Sequence, residues 1–398
     1  MRACLATLLV LATLWGCTPA PSAPAEGITA LTLWHAYRAE EEAALTQVVS
    51  DFNASQDKVE VVAQKIPYQA FADKLTTAIP RDNGPDLFIF AHDRIGAWAE
   101  ADIVEPVSIW ATGDVLGGYI KSTVLSLVYK EAIYGLPLNF KSVALFYNKK
   151  LVPEPPKTDL DLVETAKSLT DRGAKRYGLA FINTQLYFSA AFIHGFGGQI
   201  LDKEGALHLK DPGTAKGLKF SQDLLHEHKV VPADVDGAVI TSLFNTGRAA
   251  MVINGPWFIG EIADDVDWAV APLPTVAETG KAMAPYFGAE AVMMSKRSKH
   301  KREAFAFMRY LSGAEGSKVR MVKGGQSPAW RQSWTDVEAT EVQKVFKDQI
   351  EVAVGMPSLP SMRFVWGPTD QAIQRIVKKK ADPSAALAEA HDKIEAAR

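Results

Sequence analysis

The fold class is indicated by one stretch of the sequence, residues 83–98, which read NGPDLFIFAHDRIGAW. Asn-Gly-Pro is typical of a turn, and the four apolar residues that follow do not alternate with polar ones, so they predict a strand covered on both faces. Such strands belong to parallel sheets, where ligands bind beyond the carboxyl ends of the strands. We therefore expect His92, Asp93 and Arg94 to lie at a ligand site. Alternatively, Asp93 is only the N-cap of the following helix.

The same pattern continues on both sides of this stretch. Strands are predicted at 28–34 and 59–62 with a helix at 40–52 between them, and a helix at 71–79 precedes the strand of the opening stretch. Residues 244–257 repeat the layout of a helix end, a buried strand and a turn, which here presents Trp257. Extended segments near 135–147 and Pro-rich residues 272–285 predict two crossings between lobes. A final helix is predicted at 369–377, and an α/β protein with two lobes follows.

The N-terminus has the features of a bacterial signal peptide. Met1-Arg2 precedes an apolar run that is too short to span a bilayer and ends at Gly16-Cys17. This junction resembles a lipobox, so Cys17 is predicted to be lipidated and to become the mature N-terminus, with Cys4 removed. The alternative is an ordinarily cleaved periplasmic protein. No later segment reaches the length of a transmembrane helix, and no disulfide is expected.

Composition places the chain among ordinary globular proteins. It has 398 residues, of which 47% are hydrophobic and 22% charged, and this length favours two domains. The net charge of −3 and the absence of a basic stripe with interleaved aromatic residues argue against nucleic-acid binding.

Motifs for cofactors, metals and catalysis are weak or absent. Residues 195–198, GFGG, are interpreted as a helix end because no strand precedes them as a nucleotide loop requires. The two histidines of residues 226–228 would lie on different sides of a helix, which disfavours zinc. No Gly-x-Ser-x-Gly motif is present, and no carboxylate pair is singled out for glycoside hydrolysis. We expect no cofactor and no metal.

Aromatic residues beside polar tips form the remaining pattern, and each of them has core packing as its alternative. They are Trp34, Phe90, Tyr187, Trp257 and Trp366. Sugars present apolar C–H faces to aromatic rings, while their hydroxyls bind carboxylates and guanidinium groups. A carbohydrate ligand is therefore predicted.

From about residue 28 to its end, the chain resembles the maltose/maltodextrin-binding proteins, the periplasmic solute-binding components of ABC sugar importers. Three stretches carry the resemblance: residues 84–94, residues 146–158, and residues 244–257. The resemblance implies two α/β lobes assembled from discontinuous segments, with a cleft that closes on a glucan by hinge motion.

Site residues follow from this resemblance. Asp93 and Arg94 would bind sugar hydroxyls, whereas Tyr187, Trp257 and Trp366 would stack on sugar rings. The predicted ligand-binding set also includes Phe90, Lys141, Gln185 and Arg38. Phe90 stands where the family's best-known members have Trp, Lys141 where they have Glu, and Asp370 where they have Arg.

The resulting prediction is a substrate-binding component of an ABC-type carbohydrate importer that is not an enzyme. Its partners would be a maltodextrin-like oligosaccharide, the permease subunits and, through the lipid anchor, the membrane; we expect a monomer in the periplasm or extracytoplasmic space. The alternatives are an extracytoplasmic carbohydrate-active enzyme and a receptor of the same fold for another solute. The predicted domains are a signal peptide at 1–17, a tether at 18–27, an N-terminal lobe at 28–138 and 286–338, and a C-terminal lobe at 139–285 and 339–398.

Overall fold

The computed structural model describes residues 27–202 and 204–398. The predicted signal peptide with Cys17 lies outside the described residues, and so does the predicted tether except for residue 27. Within the described part, a six-stranded and a four-stranded sheet form the centres of two lobes. The prediction of a two-lobe α/β protein is confirmed.

Strands and helices are numbered along the chain. The strands are β1 (Thr29–His35), β2 (Val59–Lys65), β3 (Leu87–Ala91), β4 (Val128–Tyr129), β5 (Ala132–Ile133), β6 (Leu136–Lys141), β7 (Ala144–Asn148), β8 (Tyr177–Ala180), β9 (Ala249–Asn254), β10 (Trp268–Ala271), β11 (Tyr286–Met294) and β12 (Val354–Gly355). The helices are α1 (Ala39–Ser55), α2 (Tyr68–Ala78), α3 (Ile95–Glu100), α4 (Gly113–Leu116), α5 (Lys121–Leu125), α6 (Asp159–Leu169), α7 (Leu186–Gly195), α8 (Pro212–His226), α9 (Gly237–Asn245), α10 (Lys301–Ser312), α11 (Ala314–Val322), α12 (Ser333–Asp336), α13 (Glu341–Val352), α14 (Met362–Lys379) and α15 (Pro383–Ala397).

The six-stranded sheet forms the N-terminal lobe and has mixed strand directions. Its order is β12-β11-β3-β1-β2, and β6 also pairs with β11. Strand β1 runs parallel to β2 and β3, whereas β11 runs antiparallel to β3 and β6. The expectation that β3 belongs to a parallel sheet is therefore correct for its neighbour β1 and wrong for its neighbour β11. The reason is that β11, which the sequence analysis did not identify, enters this sheet from the other lobe and runs against β3.

Strand β3 is covered on both faces, as its uninterrupted apolar run predicts. Leu87 and Ile89 pack into the core on one face of the sheet, which also contains Phe307 of α10. Phe88 and Phe90 pack into the core on the other face. Residues 87–90 are all buried, so β3 lies at the centre of the lobe and fixes the position of the segment that follows it.

Two crossings connect the lobes where the Pro-rich and extended segments predict them. The first runs from β6 of the large sheet directly into β7 of the four-stranded sheet, and the second runs from β10 back to β11. Ser142 in the first crossing donates a hydrogen bond to the carbonyl of Tyr286 in the second, with an Oγ–O distance of 2.9 Å. The predicted lobe boundary after residue 138 falls inside β6, which pairs with β11 from residue 136 to residue 141.

The four-stranded sheet forms the C-terminal lobe in the order β10-β7-β9-β8. Its two faces carry separate cores, one with residues of α6, α7, α8, α14 and α15, and one with residues of α9 and α13. Helix α7 ends at Gly195, and Gly197 has a φ of +82° just beyond it. This left-handed residue confirms that residues 195–198 are a helix end.

Helix α14 begins at Met362, seven residues before the predicted start at residue 369. A proline inside a helix removes one backbone N–H donor, and Pro368 directly precedes the predicted start. In the structure the helix passes through Pro368, so Trp366 lies within the first two turns of α14 rather than in a loop before it. Among the described residues, no helix has the length and apolar character required to cross a bilayer.

Candidate functional site

The candidate site begins directly after β3, where residues His92–Arg94 form one turn of 3-10 helix. The Asp93 side chain is 8% exposed, and its Oδ2 lies 3.5 Å from Nε of the more exposed Arg94. Helix α3 starts at Ile95 and has no side-chain cap, so Asp93 does not act as its N-cap. Burial raises the pKa of Asp93, while the charge of Arg94 opposes this shift.

His92 is buried instead of facing a ligand. Its Nδ1 accepts a hydrogen bond from the backbone N–H of Ala289 at 3.0 Å, and its Nε2 lies 2.8 Å from the carbonyl oxygen of Met356. Nδ1 also lies 3.2 Å from the carbonyl oxygen of Ala289, and the neutral tautomer with the proton on Nε2 satisfies both the Met356 carbonyl and the Ala289 N–H. Burial lowers the pKa of His92, which favours this neutral form. His92 therefore positions Asp93 and Arg94 and is not itself part of the ligand surface.

Phe90 is buried beneath the exposed ring of Tyr68 in the N-terminal lobe. It is 5% exposed and packs against Phe71 and Trp98 of the N-terminal core. Tyr68, the first residue of α2, stacks on Phe90 at 5.4 Å between centroids with an interplanar angle of 7°, and it is 61% exposed. The structure therefore presents Tyr68, not Phe90, as the accessible aromatic face. Trp34, which the sequence suggested as a platform, is also buried.

Three half-buried aromatic residues of the C-terminal lobe form a second group. Tyr187 lies in the first turn of α7, and its ring centroid is 6.1 Å from that of Trp257. Trp257 follows β9 in the 3-10 helix Pro256–Glu261, and its indole folds back over Gly255, where a Cβ would lie 2.2 Å from the ring. Trp366 lies 6.1 Å from Tyr286. Position 255, two residues before Trp257, must therefore be glycine for the indole to lie where it does.

The Trp366 indole also connects the two groups. Its Nε1 is buried and has no hydrogen-bond partner of normal geometry among the residues that the structure describes, but it lies near enough to Asp93 to favour the ionised carboxylate. Asp93 comes from the N-terminal lobe and Trp366 from the C-terminal lobe, so these side chains meet between the lobes. A buried N–H without a partner is uncommon and is expected to find one in a bound molecule or water.

Lys141 at the end of β6 is held by two carboxylates. Its Nζ lies 2.9 Å from Glu41 Oε1 and 3.4 Å from Glu290 Oε2. Burial opposes the charge of Lys141, but the two carboxylates outweigh this effect and raise its pKa above the ordinary value. Lys141 Nζ also lies 5.1 Å from the centroid of Tyr37. The side chain is 17% exposed, so any contact with a ligand is shared with these partners.

Arg38 and Gln185 lie on opposite lobes at the edge of this region. Arg38 precedes α1, and its guanidinium lies 3.1 Å from Glu261 of the C-terminal lobe. Glu261 also accepts a hydrogen bond from Thr241 Oγ1 at 2.8 Å. Gln185 is exposed at the start of α7 and makes no cap with its side chain. Arg38 thus forms an ion pair between the lobes in the structure.

Asp370 has a structural role at the same site. Its Oδ1 accepts a hydrogen bond from the backbone N–H of Leu186 at 2.7 Å. It therefore caps the N-terminus of α7 from α14 and holds the turn that carries Tyr187.

This arrangement offers aromatic faces on both lobes around carboxylates and a guanidinium group. It is suited to an uncharged, hydroxyl-rich molecule, because rings bind apolar C–H faces and the charged groups bind hydroxyls. In the part of the chain that the structure describes, no three His, Cys, Asp or Glu side chains are grouped so that they could hold a metal ion.

A family model described as bacterial extracellular solute-binding protein matches residues 36–318, more than half of the chain. The chain belongs to this family. Among similar proteins, the maltotriose-binding protein of Pyrococcus abyssi is 33% identical over 374 residues, covering 92% of this chain and 81% of that protein. The galactooligosaccharide-binding protein of Bacillus subtilis is 28% identical and covers 97% and 94% of the two chains.

Solved structures of sugar-bound proteins are also similar to this solute-binding protein. The Thermus thermophilus maltotriose-binding protein with bound maltotriose matches with a TM-score of 0.83 and 28% identity, covering 92% of this chain and 99% of that chain. The maltose/maltodextrin-binding domain of Bdellovibrio bacteriovorus bound to maltotriose matches with a TM-score of 0.86 and 25% identity, covering 93% and 99%. These matches agree with the family resemblance stated from the sequence.

The solute-binding protein thus brings most of the predicted site residues to one region between its lobes. Asp93, Arg94, Tyr187, Trp257 and Trp366 meet there, while Phe90 lies one layer behind. Their roles in binding stay predictions. Sequence reasoning missed Tyr68 and Glu290. The signal for Tyr68 was an aromatic residue directly after Pro67 at a helix start, and the signal for Glu290 was a single charge in the apolar run 286–294.

The raised pKa of Asp370 leads us to expect that its contribution to folding stability depends on pH. Burial raises its pKa to about 6, above that of an unfolded chain at about 3.9. Ionisation therefore costs more in the folded protein, and Asp370 makes the fold less stable as pH rises between these two values. Thermal melting of Asp370→Asn against wild type should show the variant gaining melting temperature relative to wild type from about pH 4 to about pH 6.

Asp348→Asn, at an exposed position of α13, is the control for loss of one negative charge. A difference in melting temperature between Asp370→Asn and wild type that stays constant across this pH range would contradict the assignment.

Proposed function

We propose that this protein is the substrate-binding component of an ABC-type carbohydrate importer and binds a maltooligosaccharide between its lobes. The observation that carries the proposal is the placement of Tyr68 on one lobe and Tyr187, Trp257 and Trp366 on the other, around Asp93 and Arg94. The named sugars of its relatives support this ligand class: maltotriose for the Pyrococcus abyssi protein and maltooligosaccharide for a Streptococcus pneumoniae transporter lipoprotein.

The roles of the side chains follow from sugar chemistry. Trp257, Tyr187 and Trp366 stack on the apolar faces of successive rings, since aromatic residues supply large contact areas at little cost in side-chain entropy. Asp93 accepts hydrogen bonds from hydroxyls, and Arg94 donates them through its exposed guanidinium edge. Phe90 supports the Tyr68 ring from behind, and Lys141, Gln185 and Arg38 complete the polar edge of the cleft.

The protein binds its sugar without cleaving it. Transport requires release of the intact oligosaccharide to the permease, and closing and opening of the two lobes is sufficient for capture and release. Incubation with maltooligosaccharides followed by product analysis tests this point. Appearance of shorter sugars would favour the alternative of a carbohydrate-active enzyme.

Calorimetric titration with a sugar panel tests the proposed function. The panel contains maltose, maltotriose, maltotetraose and galactooligosaccharides, with a polyamine and a phosphorylated sugar as chemically different solutes. We expect the tightest binding for a maltooligosaccharide. Binding of only the polyamine or the phosphorylated compound would overturn the proposal and favour a receptor for another solute.

The proposed stacking of Trp257 on a sugar ring leads to a prediction of its contribution to the binding free energy. Truncation of a central aromatic anchor costs ~2–4 kcal/mol of binding free energy, so Trp257→Ala should weaken maltooligosaccharide affinity roughly 30- to 1,000-fold. The ligand-free melting temperature should change little because the ring is only half-buried. Trp110→Ala is the matched control, since Trp110 is also half-buried but packs on Phe305 away from Trp257.

A fall of ~3–5 kcal/mol in the free energy of unfolding of ligand-free Trp257→Ala would show that Trp257 is a core residue instead. Unchanged stability together with near-normal affinity would remove Trp257 from the site.

The lipid anchor is a further part of the proposed function. An extracytoplasmic location agrees with the family, and we propose that lipidated Cys17 holds the protein at the membrane, as a monomer, beside the permease subunits. Residues 18–27 would act as a Pro/Ala-rich tether that leaves the lobes free to move. The mass of the intact mature chain should correspond to a start at Cys17 with added acyl groups, and Cys17→Ser should abolish the acyl mass. A mature chain that starts elsewhere without acyl mass would contradict the anchor.

A further inference from the structure

Glu290 is the one charged residue of β11, whose sequence is YFGAEAVMM. Its side chain is only 16% exposed. A carboxylate in such a position is costly unless other groups satisfy it, so its presence in an otherwise apolar central strand calls for a physical reason. The partners of Glu290 account for only part of its hydrogen-bonding capacity.

Both partners of Glu290 bind the same oxygen. Oε2 accepts a hydrogen bond from the Tyr37 hydroxyl at 2.6 Å and lies 3.4 Å from Lys141 Nζ. Among the described residues, none donates a hydrogen bond to Oε1. Lys141 lies closer to Glu41, at 2.9 Å, so its charge is shared. An ionised carboxylate can accept about four hydrogen bonds, and Glu290 therefore has an acceptor oxygen available.

The Glu290 side chain lies near the region between the lobes. In the sheet, Glu290 pairs with Ala91 of β3, two residues before Asp93. Burial raises the pKa of the Tyr187 hydroxyl, and the charges of Asp93 and Glu290 raise it further. Since Tyr187 belongs to the C-terminal lobe, the carboxylate of Glu290 lies within electrostatic range of both sides of the proposed cleft.

We propose that Glu290 is a specificity-determining residue whose Oε1 accepts a hydrogen bond from one hydroxyl of the bound oligosaccharide. Tyr37 and Lys141 hold the other oxygen and fix the direction of the carboxylate. A site with a buried acceptor selects strongly for a ligand that supplies the matching donor, because an unmatched carboxylate is left without a partner. This inference rests on the proposed sugar-binding function and adds a recognised hydroxyl to it.

The test is a double-mutant cycle between the protein and its ligand. Affinities for maltotriose and for its monodeoxy derivatives, each lacking one hydroxyl, are measured by calorimetry with wild type and Glu290→Gln. Hydrogen bonds to charged groups are worth enough for a loss of about 10- to 100-fold in wild type when the matching hydroxyl is absent. In Glu290→Gln, maltotriose should bind more weakly, and removal of that same hydroxyl should have much less effect.

Tyr37→Phe distinguishes recognition of the sugar hydroxyl by Glu290 from support of Glu290 by Tyr37. It removes one partner of Glu290 but leaves the carboxylate, so dependence on the same hydroxyl should persist even if overall affinity falls. Glu290→Asp, which keeps the charge but shortens the side chain by one methylene, serves the same purpose if Glu290→Gln does not fold, and it should also lose dependence on that hydroxyl.

The outcomes distinguish this inference from the proposed function. If wild type binds no oligosaccharide, the proposed function fails and the inference fails with it. If wild type binds maltotriose but Glu290→Gln responds to every monodeoxy sugar as wild type does, only the inference is overturned. Equal loss of affinity for all sugars together with a lower melting temperature would show that Glu290 only supports Lys141 and Tyr37, and would also overturn it.

Discussion

Two buried hydrogen bonds of His92 hold together the three segments that meet between the lobes. One joins it to the backbone of Ala289 in β11, and the other joins it to Met356, ahead of α14. His92 also precedes Asp93 and Arg94 directly, so the same interaction fixes the proposed sugar-binding residues on the N-terminal lobe. Close packing supports this arrangement, since a Cβ at Gly96 would lie 2.3 Å from the carbonyl oxygen of Ser358. Gly96 therefore allows α3 to lie close to the segment that leads into α14, the helix that carries Trp366.

The charged residues of the cleft form ion pairs, some buried within one lobe and one exposed between the two lobes. Lys141 lies between Glu41 and Glu290, and these two ion pairs hold its ammonium group on the N-terminal side of the cleft. The pair between Arg38 and Glu261 crosses from one lobe to the other, but Arg38 is 60% exposed. Exposed pairs of this kind contribute about 0–1 kcal/mol. They can favour a closed arrangement without preventing the lobes from opening, as a binding protein that releases its ligand requires.

The sequence predicted the features that depend on local pattern. The apolar run of β3, the two crossings and the turn at Trp257 are visible because neighbouring residues determine them. Strand β11 was missed because Gly288 and Glu290 interrupt its apolar character, although pairing with β3 and β6 stabilises it. The start of α14 was missed because a proline such as Pro368 normally interrupts a helix. In this protein the turns before Pro368 stay helical, and Met362 and Val365 of these turns pack in the core. Tyr68 and Glu290 enter the proposed site only through contacts between distant segments.

Closure of the lobes on a sugar is the central claim, and small-angle X-ray scattering tests it most directly. Rings from both lobes can contact one ligand only when the lobes are close, so a sugar that binds both must favour the closed form. The radius of gyration should be measured without ligand and at saturation with the oligosaccharide that binds most tightly in calorimetry. A smaller radius with bound sugar, and no change with a sugar that does not bind, is the predicted result. An unchanged radius of gyration at full saturation would contradict the account.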